Sequence, residues 1–476
     1  MTRSSLSLLD ISHGAVVAPA GCGKTQLIAD ALAAHAYPRP ILVLTHTNAG
    51  VAALRARLSC AGVPRRAYRI ATIDGWALRL GSMFPRRSGL QSETLQLRNP
   101  GRDYPEIRRR ALGLLTSGHI SDPLRATYAR VLVDEYQDCN RVQHALIELV
   151  SDVLPVAVLG DPMQAIFGFN GDPLADWDHE VCSTFPEVAT LDTPWRWHNV
   201  GEEAFGQWLL DVREHLRRGD GVDLQSAPSP VRWVRLDGGR DDYRRQLGAA
   251  QLPPPVSGGS VLILADSRKP HEQRRFASQV PGASAVESVD LKEFVAFADG
   301  LDLSATDALA KVVGFAETIM SNLGGNAFLQ RVRVLESGRA RTPATAAESA
   351  ALHFKTSPTP STMADLLEAL NTQGGVRVYR PVVLRACFQA LRRWAHNPSL
   401  GFGETARRVR EEYRAGERTV AKRAVGSTLL LKGLEADMAV ILDAMEMDAR
   451  HLYVAMTRGA RRLVVCARSA RLVSAA

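Results

Sequence analysis

The stretch AVVAPAGCGKTQLIADAL, from Ala15 to Leu32, joins an apolar run, a turn of small residues and a Lys-Thr pair that opens a helical pattern. The apolar run predicts a buried strand, and the spacing after the turn predicts a helix. Glycines let backbone N–H groups turn inward, and the start of a helix adds positive potential, so this order of elements suits a phosphate. We predict a nucleotide site made of Ala20, Gly21, Cys22, Gly23, Lys24, Thr25 and Gln26.

The loop departs in one place from the strict Walker A pattern, which has glycine six positions before the lysine. Ala18 stands at that position. The chemistry survives the change, because Lys24 still reaches the outer phosphates and Thr25 can still ligate Mg²⁺. A glycine turn that merely caps a helix is the alternative.

Polar residues also follow two apolar runs further along the chain. Asp134 and Glu135 end the run in RVLVDEYQDCN, and Gln164 follows the run in LPVAVLGDPMQ. Ligands collect at the carboxyl ends of strands in an open parallel sheet, so these residues should lie beside the phosphate turn. Asp134 suits a Mg²⁺ shell, Glu135 could orient or deprotonate the attacking water, and Gln164 could sense the terminal phosphate. A solvated strand end is the alternative for the Asp-Glu pair.

The elements that would position these residues repeat as strand, polar turn and helix. RPILVLTHTNAGVAALRARL predicts a second buried strand at Ile41–Leu44 followed by a helix, and YRIATIDGWALRL predicts a third such unit. GSVLILADSRK predicts a further strand in the second half of the chain. The pattern is typical of α/β proteins with parallel sheets.

The composition is that of an ordinary globular protein with room for two or more domains. The chain has 476 residues, of which 46% are hydrophobic and 23% charged. The six cysteines are scattered, which argues against zinc or a disulfide framework. No apolar run reaches membrane-spanning length and the polar start lacks a signal peptide's apolar centre, so we expect a cytoplasmic protein with no membrane partner. The net charge of +8 suits phosphate-backbone binding, or else a solvated surface encoded by an arginine-rich genome.

The strings APAGCGKT, THTN, DEYQD and GDPMQAIFG occur in this order. Together they resemble motifs I, Ia, II and III of superfamily 1 helicases of the UvrD/Rep/PcrA type. The resemblance implies two RecA-like P-loop NTPase domains, each a parallel sheet flanked by helices, with short, mainly helical 1B and 2B insertions. The boundaries it implies are 1–80 and 125–192 for domain 1A, 81–124 for 1B, 193–288 and 425–476 for domain 2A, and 289–424 for 2B.

Later strings resemble the motifs of a second domain. ATLDTPWRWHN resembles motif IV, which implies that Arg196 contacts phosphate and Trp195 stacks on the base. VGSTLLLKGLEADMAVILDA resembles motif V around Lys432 and Glu435, and HLYVAMTRGARRLVVCA resembles motif VI with Arg458. By this resemblance the chain is a DNA-dependent ATPase that uses ATP and Mg²⁺, with Arg196 and Arg458 neutralising charge on the transferred phosphoryl group from across a cleft between the two domains.

The resemblance also implies single-stranded or tailed DNA as the partner, moved stepwise in the 3′→5′ direction. Bases stack on aromatic side chains in a basic groove, although each of these aromatics could instead belong to the core. The predicted DNA-binding residues are His46, Thr47, Asn48, Trp76, Phe167, Phe169 and Lys432.

Several positions depart from the family pattern. No glutamine precedes motif I, and Ala31 replaces the arginine that stacks on adenine, so base recognition would depend on Trp195 alone. This predicts relaxed selectivity, with other purine nucleoside triphosphates accepted beside ATP. Asn170, Leu429 and Asp74 stand at positions that couple DNA to the ATP site, so unwinding is a weaker expectation than hydrolysis.

The trimmed length suggests alternatives to a helicase. The 2B-like segment has linker-like stretches at SGRARTPATAAES and KTSPTPST and ends in arginine-rich helices, which could bind duplex DNA or a partner, or form a solvated face. In size the chain is similar to the helicase-like subunit of Gabija-type antiphage systems, which partners an OLD-family nuclease. A DNA-end-sensing NTPase subunit of a nuclease complex, with little unwinding, is therefore one alternative. A degenerate scaffold that binds DNA without turnover is another.

Overall fold

The computed structural model describes residues 6–36, 38–97, 99–168, 172–415 and 420–472. This part of the chain divides into two compact units. The first unit comprises residues 1–232, 445–461 and 470–476, and the second comprises 233–444 and 462–469. No helix of the described part is both long enough and apolar enough to cross a membrane.

Strands make up the two main sheets and two small antiparallel pairs. Their bounds are β1 His13–Val17, β2 Ile41–Thr45, β3 Tyr68–Thr72, β4 Val131–Val133, β5 Val156–Gly160, β6 Glu187–Thr190, β7 Val222–Asp223, β8 Val231–Arg235, β9 Val261–Ala265, β10 Ala283–Ala285, β11 Met320–Ser321, β12 Arg377–Val378, β13 Arg423–Ser427, β14 Ala436–Ile441, β15 Gly459–Ala467 and β16 Arg471–Leu472.

Helices connect and cover the strands. Their bounds are α1 Lys24–Ala34, α2 Asn48–Cys60, α3 Ile73–Met83, α4 Pro85–Ser88, α5 Ser92–Leu95, α6 Pro100–Thr116, α7 Ser121–Thr127, α8 Arg141–Ser151, α9 Cys182–Thr184, α10 Trp195–His198, α11 Glu203–Arg218, α12 Asp242–Gln251, α13 Pro270–Gln279, α14 Lys292–Gly300, α15 Ala308–Glu317, α16 Gly325–Glu336, α17 Ala346–Thr356, α18 Pro360–Asn371, α19 Pro381–His396, α20 Gly401–Ala415, α21 Thr428–Leu431 and α22 Ala449–Met456.

The sheet of the first unit has the order β3-β2-β4-β5-β1-β6, and every neighbouring pair in it is parallel. Its central strands are apolar on both faces, as expected when helices cover both sides of a parallel sheet. Alternate residues of β2 and β4 enter two separate cores, one on each face. Because β4, β5 and β1 are adjacent, their carboxyl ends lie side by side. This arrangement brings together the turns that follow Val17, Val133 and Gly160.

The sheet of the second unit has the order β10-β13-β9-β14-β15-β8, and β10, β13, β9 and β14 pair in parallel. The two sheets flanked by helices confirm the predicted α/β class. The strands predicted at the Ala15, Ile41 and VLILA runs are present as β1, β2 and β9.

A helical insertion, residues 291–415, has an apolar core of its own within the second unit. Its helices α14 to α20 pack around buried leucine, phenylalanine and alanine side chains. Both predicted linker stretches connect helices and run into the next one, because α17 begins at Ala346 and α18 begins at Pro360. In KTSPTPST, Thr359 caps α18 and Pro360 is its first residue, so this stretch is a short helix-to-helix turn. Proline and threonine in a sequence suggest a loop because they disfavour a helix interior, but both are also favoured at the start of a helix.

The unit boundaries differ from those that the resemblance implied. Residues 193–232 and 445–461 belong to the first unit, whereas the resemblance places both in domain 2A. The segment 81–124 is helical, and its long helix α6 packs into the same core as the sheet through Ile107, Ala111 and Leu114. The division into domains 1A, 1B, 2A and 2B stays a prediction.

Candidate nucleotide-binding site

The loop between β1 and α1 depends on two glycines. Gly21 and Gly23 both have positive φ, 74° and 87°, a conformation that other residues adopt at a cost. Space is also short, because a Cβ on Gly21 would lie 2.5 Å from the Trp197 ring and one on Gly23 would lie 3.1 Å from the Trp195 ring. The predicted base-stacking Trp195 therefore lies directly against the loop, half-buried. Lys24 is the first residue of α1, so the loop leads straight into the helix N-terminus.

Lys24 lies between the two predicted carboxylates. Its Nζ is 3.0 Å from Asp134 Oδ1 and 2.5 Å from Glu135 Oε1. Burial alone would lower the pKa of Lys24, but the charges of Asp134 and Glu135 outweigh it and raise the pKa above its usual value. Burial raises the pKa of Asp134, and Lys24 opposes that rise. The structure brings these three residues together at one edge of the sheet.

Glu135 has an unusual backbone. Its φ is 56°, in the left-handed region that residues other than glycine seldom adopt, and its N–H donates to Asp134 Oδ1 at 3.0 Å. Such strain persists where the surrounding structure over-determines the conformation, and it concentrates at functional sites. The turn separates the two carboxylates, so that Asp134 is buried while the Glu135 side chain stays about one-third exposed.

A chain of hydrogen bonds runs from Glu135 to Gln164. The Gln137 amide donates to Glu135 Oε2 at 2.6 Å, and its oxygen accepts the N–H of Asp161 at 3.1 Å. The side chain of Asp161 in turn accepts, at Oδ2, a hydrogen bond from the side-chain amide of Gln164 at 3.0 Å. Because Gln137, Asp161 and Gln164 are buried, each of them needs its partner, and the network holds Gln164 in one place.

Arg213 anchors this network, and the sequence analysis did not predict it. It is 5% exposed and donates to Asp161 Oδ1 from Nε at 3.0 Å and from Nη2 at 2.9 Å. A signal was available, since Arg213 falls on the apolar face of α11, between Leu209 and Leu216. A charge in the middle of such a face usually has a buried partner.

The predicted arginines both lie in the first unit, with Lys24. Arg196 Nη1 donates to the carbonyl of Thr457 at 2.6 Å. Arg458 is 2% exposed, and its guanidinium donates to the carbonyl of Val454 and to the Thr457 hydroxyl, at 2.8 Å and 2.9 Å. The segment around Arg458 therefore meets Arg196 directly, although the two are separated by most of the chain.

The remaining predicted nucleotide residues have varied surroundings. Burial, with a contribution from Asp161, raises the pKa of the Cys22 thiol to about 12, which keeps it protonated. Gln26 bonds to Asp30 at 2.7 Å and accepts from Arg57. The Ala20 N–H donates to the hydroxyl of Tyr453, a contact that the sequence did not suggest. Thr25 is half-buried at the start of α1, while Lys432 and Glu435 lie in the second unit, next to α21.

The predicted DNA-binding residues have different surroundings. His46 and Phe167 are partly exposed neighbours with ring centroids 5.8 Å apart. Thr47 and Asn48 are exposed at the start of α2, where the Thr47 hydroxyl accepts the N–H of Gly50 at 3.1 Å. Phe169 lies outside the described residues.

Trp76 requires a correction. Its side chain is 2% exposed and packs in the core between the sheet and α6, so no ring face is free for a base. An aromatic residue in a polar turn is typical of a stacking platform, but here helix α3 turns its ring inward. Trp76 is a core residue.

Comparison with known proteins is most informative for the first unit. Residues 87–175, which include Asp134, Glu135 and Gln164, match the family model of the UvrD/REP helicase N-terminal domain. The chain contains a UvrD/REP helicase N-terminal domain. It is also homologous to UvrD-like helicases.

The similar relatives are much longer proteins. DNA helicase II of Escherichia coli is 39% identical over 91 residues, which cover 19% of this chain and 12% of that protein. An ATP-dependent helicase/nuclease subunit from Lacticaseibacillus casei is 40% identical over 80 residues, which cover 15% of this chain and 6% of that protein. The matched segments thus span about a tenth or less of these relatives.

A solved structure, the DNA complex of arterivirus nonstructural protein 10, a helicase, superposes on 54% of this chain and 48% of its own. The sequence identity is 13% and the TM-score is 0.28.

Proposed function

We propose that this chain is a DNA-dependent ATPase of the UvrD-like type that moves along single-stranded DNA in the 3′→5′ direction. The observation that carries the proposal is the contact of Lys24 with both Asp134 and Glu135 beside a glycine loop at the carboxyl edge of a parallel sheet. A phosphate loop lysine next to two carboxylates is the arrangement that phosphoryl transfer from a nucleoside triphosphate to water requires.

The residues present fit ATP and Mg²⁺. Gly21 and Gly23 adopt the backbone that turns N–H groups inward, which suits phosphate oxygens. Thr25 and Asp134 would hold Mg²⁺, and Lys24 would pair with the outer phosphates. When bound, the metal ion supplies neutralisation of charge on the phosphates. The half-buried Trp195 ring against the loop would take the base. Because no glutamine precedes motif I and Ala31 replaces the stacking arginine, Trp195 would recognise the base alone, and we expect relaxed selectivity among purine nucleotides.

The other polar residues have roles that follow from their contacts. Glu135, the more exposed of the two carboxylates, would hold and deprotonate the attacking water. Gln164, held by Asp161, would orient the terminal phosphate. Arg196 and Arg458, which meet at Thr457, would stabilise the charge that develops on the transferred group.

DNA binding is proposed at the partly exposed pair of His46 and Phe167, with Asn48 beside it. Aromatic side chains that stack on bases contribute about 1–3 kcal/mol per base and tolerate any sequence. Contacts to phosphates release counterions, so DNA affinity should fall steeply as the salt concentration rises.

The test is ATP hydrolysis by the full chain with and without a single-stranded oligonucleotide, next to Lys24→Ala. We expect DNA to stimulate hydrolysis and the Lys24→Ala variant to lose turnover by a factor of about 100 or more, as an order of magnitude for loss of a phosphate contact. Equal activity in the wild type and Lys24→Ala would contradict the proposal. Comparable turnover of ATP and GTP would support relaxed base selectivity, and a strict preference for ATP would count against it.

A second candidate is an NTPase subunit that senses DNA ends for a nuclease complex and unwinds little. Several relatives are helicase/nuclease subunits by name, which favours this candidate. A strand-displacement assay on a 3′-tailed duplex separates the two. Displacement coupled to hydrolysis favours the translocase, and DNA-stimulated hydrolysis without displacement favours the sensor.

A further inference from the structure

Helix α22 meets the phosphate loop through a single buried hydroxyl. The N–H of Ala20 donates to the phenol oxygen of Tyr453 at 3.0 Å. Tyr453 is 1% exposed, and burial raises the pKa of its phenol well above the usual value, so it stays neutral. None of the roles assigned above to the site residues requires this hydroxyl.

The same face of α22 also reaches the arginines. Thr457 follows Tyr453 by four residues, which puts the two on one side of the helix. The Thr457 carbonyl accepts from Arg196 at 2.6 Å, and its hydroxyl accepts from Arg458 at 2.9 Å. One short helical face therefore contacts the phosphate loop at one end and both candidate arginines at the other.

Helix α22 is held in place by its packing against two other elements. It packs against the turn Pro162–Gln164, which carries the candidate phosphate sensor, and against α11, which carries Arg213. Its residues Leu452 to Met456 are all buried. A displacement of the loop at Ala20 therefore cannot be absorbed locally and passes to the rest of α22, because packed interiors transmit strain.

We propose that Tyr453 is a positioning residue, whose hydroxyl fixes the phosphate loop at Ala20 against the helix that leads to Arg458. This inference depends on the proposed ATPase function. The hydroxyl bonds the loop backbone rather than a ligand, so its loss should misalign the arginines with the phosphates. The grip of Lys24 on the nucleotide should change little.

The test is Tyr453→Phe, which keeps the ring and removes one oxygen. We expect kcat for ATP to fall about fivefold to tenfold, the value of one hydrogen bond, while the Kd for Mg·ADP measured by calorimetry changes less than about twofold. Amide exchange of residues 15–24 should become faster in the variant without added nucleotide. A residue with only a structural role would not split kcat from Kd in this way.

Two further variants sharpen the test. Tyr379→Phe is the matched control, because Tyr379 is also buried and its hydroxyl donates to the Thr318 carbonyl at 2.6 Å, in the second unit. It should lower the unfolding temperature to a similar extent and leave kcat within about twofold. In an Arg458→Lys background, Tyr453→Phe should cost less than a further twofold, since both changes act through one helix.

The outcomes separate this inference from the proposed function. An active wild type with an unchanged kcat in Tyr453→Phe overturns the positioning role alone. A parallel loss of kcat and of Mg·ADP affinity also overturns it, since the loop itself would then be damaged. A wild type no more active than Lys24→Ala overturns the proposed function, and the inference falls with it.

Discussion

Each compact unit buries an arginine–carboxylate pair, and the two pairs use their oxygens differently. In the first unit, Arg213 places Nε and Nη2 on a single oxygen of Asp161, at 3.0 Å and 2.9 Å, and leaves the other oxygen for Gln164. In the second unit, Arg380 donates from Nε to one oxygen of Glu287 and from Nη2 to the other, at 2.6 Å and 2.9 Å.

The difference separates a pair that positions a candidate site residue from a pair that contacts none of the candidate site residues. Burial alone would lower the pKa of both arginines, but the neighbouring carboxylates outweigh it and raise the pKa, so both guanidinium groups stay charged. Both pairs thus join a buried arginine to a buried carboxylate, which is Asp161 in the first unit and Glu287 in the second. The pairs differ in how many carboxylate oxygens the arginine occupies. Arg380 takes both oxygens of Glu287, whereas Arg213 leaves one oxygen of Asp161 to position Gln164, the candidate phosphate sensor.

The largest effect expected from this comparison is at Glu135, set against Glu287. Glu135→Gln removes the proposed base, so turnover should fall by about 100-fold or more, while Lys24 keeps Asp134 as its partner and nucleotide still binds. Glu287→Gln leaves the buried Arg380 without a full counter-charge, so it should cost about 3 kcal/mol of unfolding free energy and spare turnover. ATPase assays and denaturant unfolding measure the two.

Wild-type activity in Glu135→Gln would contradict the expected difference between the two variants, because water activation would then come from another group. A loss of activity in Glu287→Gln out of proportion to the folded fraction would contradict it as well. Nucleotide binding by Glu135→Gln, followed by calorimetry, controls for damage to the loop.

An effect of intermediate size on stability and on kcat is expected from substitutions of Arg213 and Arg380. Arg213→Lys and Arg380→Lys keep the charge but lose the planar two-nitrogen contact, and each should lower the unfolding free energy by about 2 kcal/mol. Only Arg213→Lys should also lower kcat, by about fivefold, since Asp161 would turn and carry Gln164 with it. Kinetics at a temperature where both variants are fully folded gives the comparison, and equal kcat values would refute it.

Much of this arrangement could be predicted from the sequence, for physical reasons. The runs at Ala15 and Val131 are apolar on both faces, as buried parallel strands must be, and parallel strands end at a common edge. Lys24, Asp134 and Glu135 follow such strands directly, so their meeting required no knowledge of long-range packing.

The rest depended on contacts between residues far apart in the chain. Tyr453 reaches Ala20 across 433 positions, and no local pattern specifies which loop a helix face will meet. Trp76 shows the converse, because an aromatic side chain suits a stacking platform and a core equally well until its neighbours are known. Arg213 was detectable as a charge on an apolar face, but its partner was not.

The smallest effect expected concerns two helix caps, one in each unit. Asp448 caps α22 by accepting the His451 N–H at 2.9 Å, and Thr345 caps α17 by accepting the Glu348 N–H at 3.3 Å. Replacing either by alanine should cost about 1 kcal/mol of unfolding free energy at neutral pH. Only Asp448→Ala should also lower kcat, by about twofold, because α22 carries Tyr453 to the phosphate loop.

The pH dependence distinguishes the two caps further. The side chain and backbone of His451 hold the pKa of Asp448 at about 2, below the value of about 3.9 in an unfolded chain. A lowered carboxylate pKa stabilises the fold above the unfolded value, and that stability is lost as the pH falls towards about 2. Asp448 is half exposed, so screening keeps the charge contribution small. The cost of Asp448→Ala should therefore shrink between about pH 4 and pH 2 in denaturant titrations, whereas the removed Thr345 hydroxyl does not titrate. A constant difference for Asp448→Ala over that interval would mean that its charge does not stabilise α22.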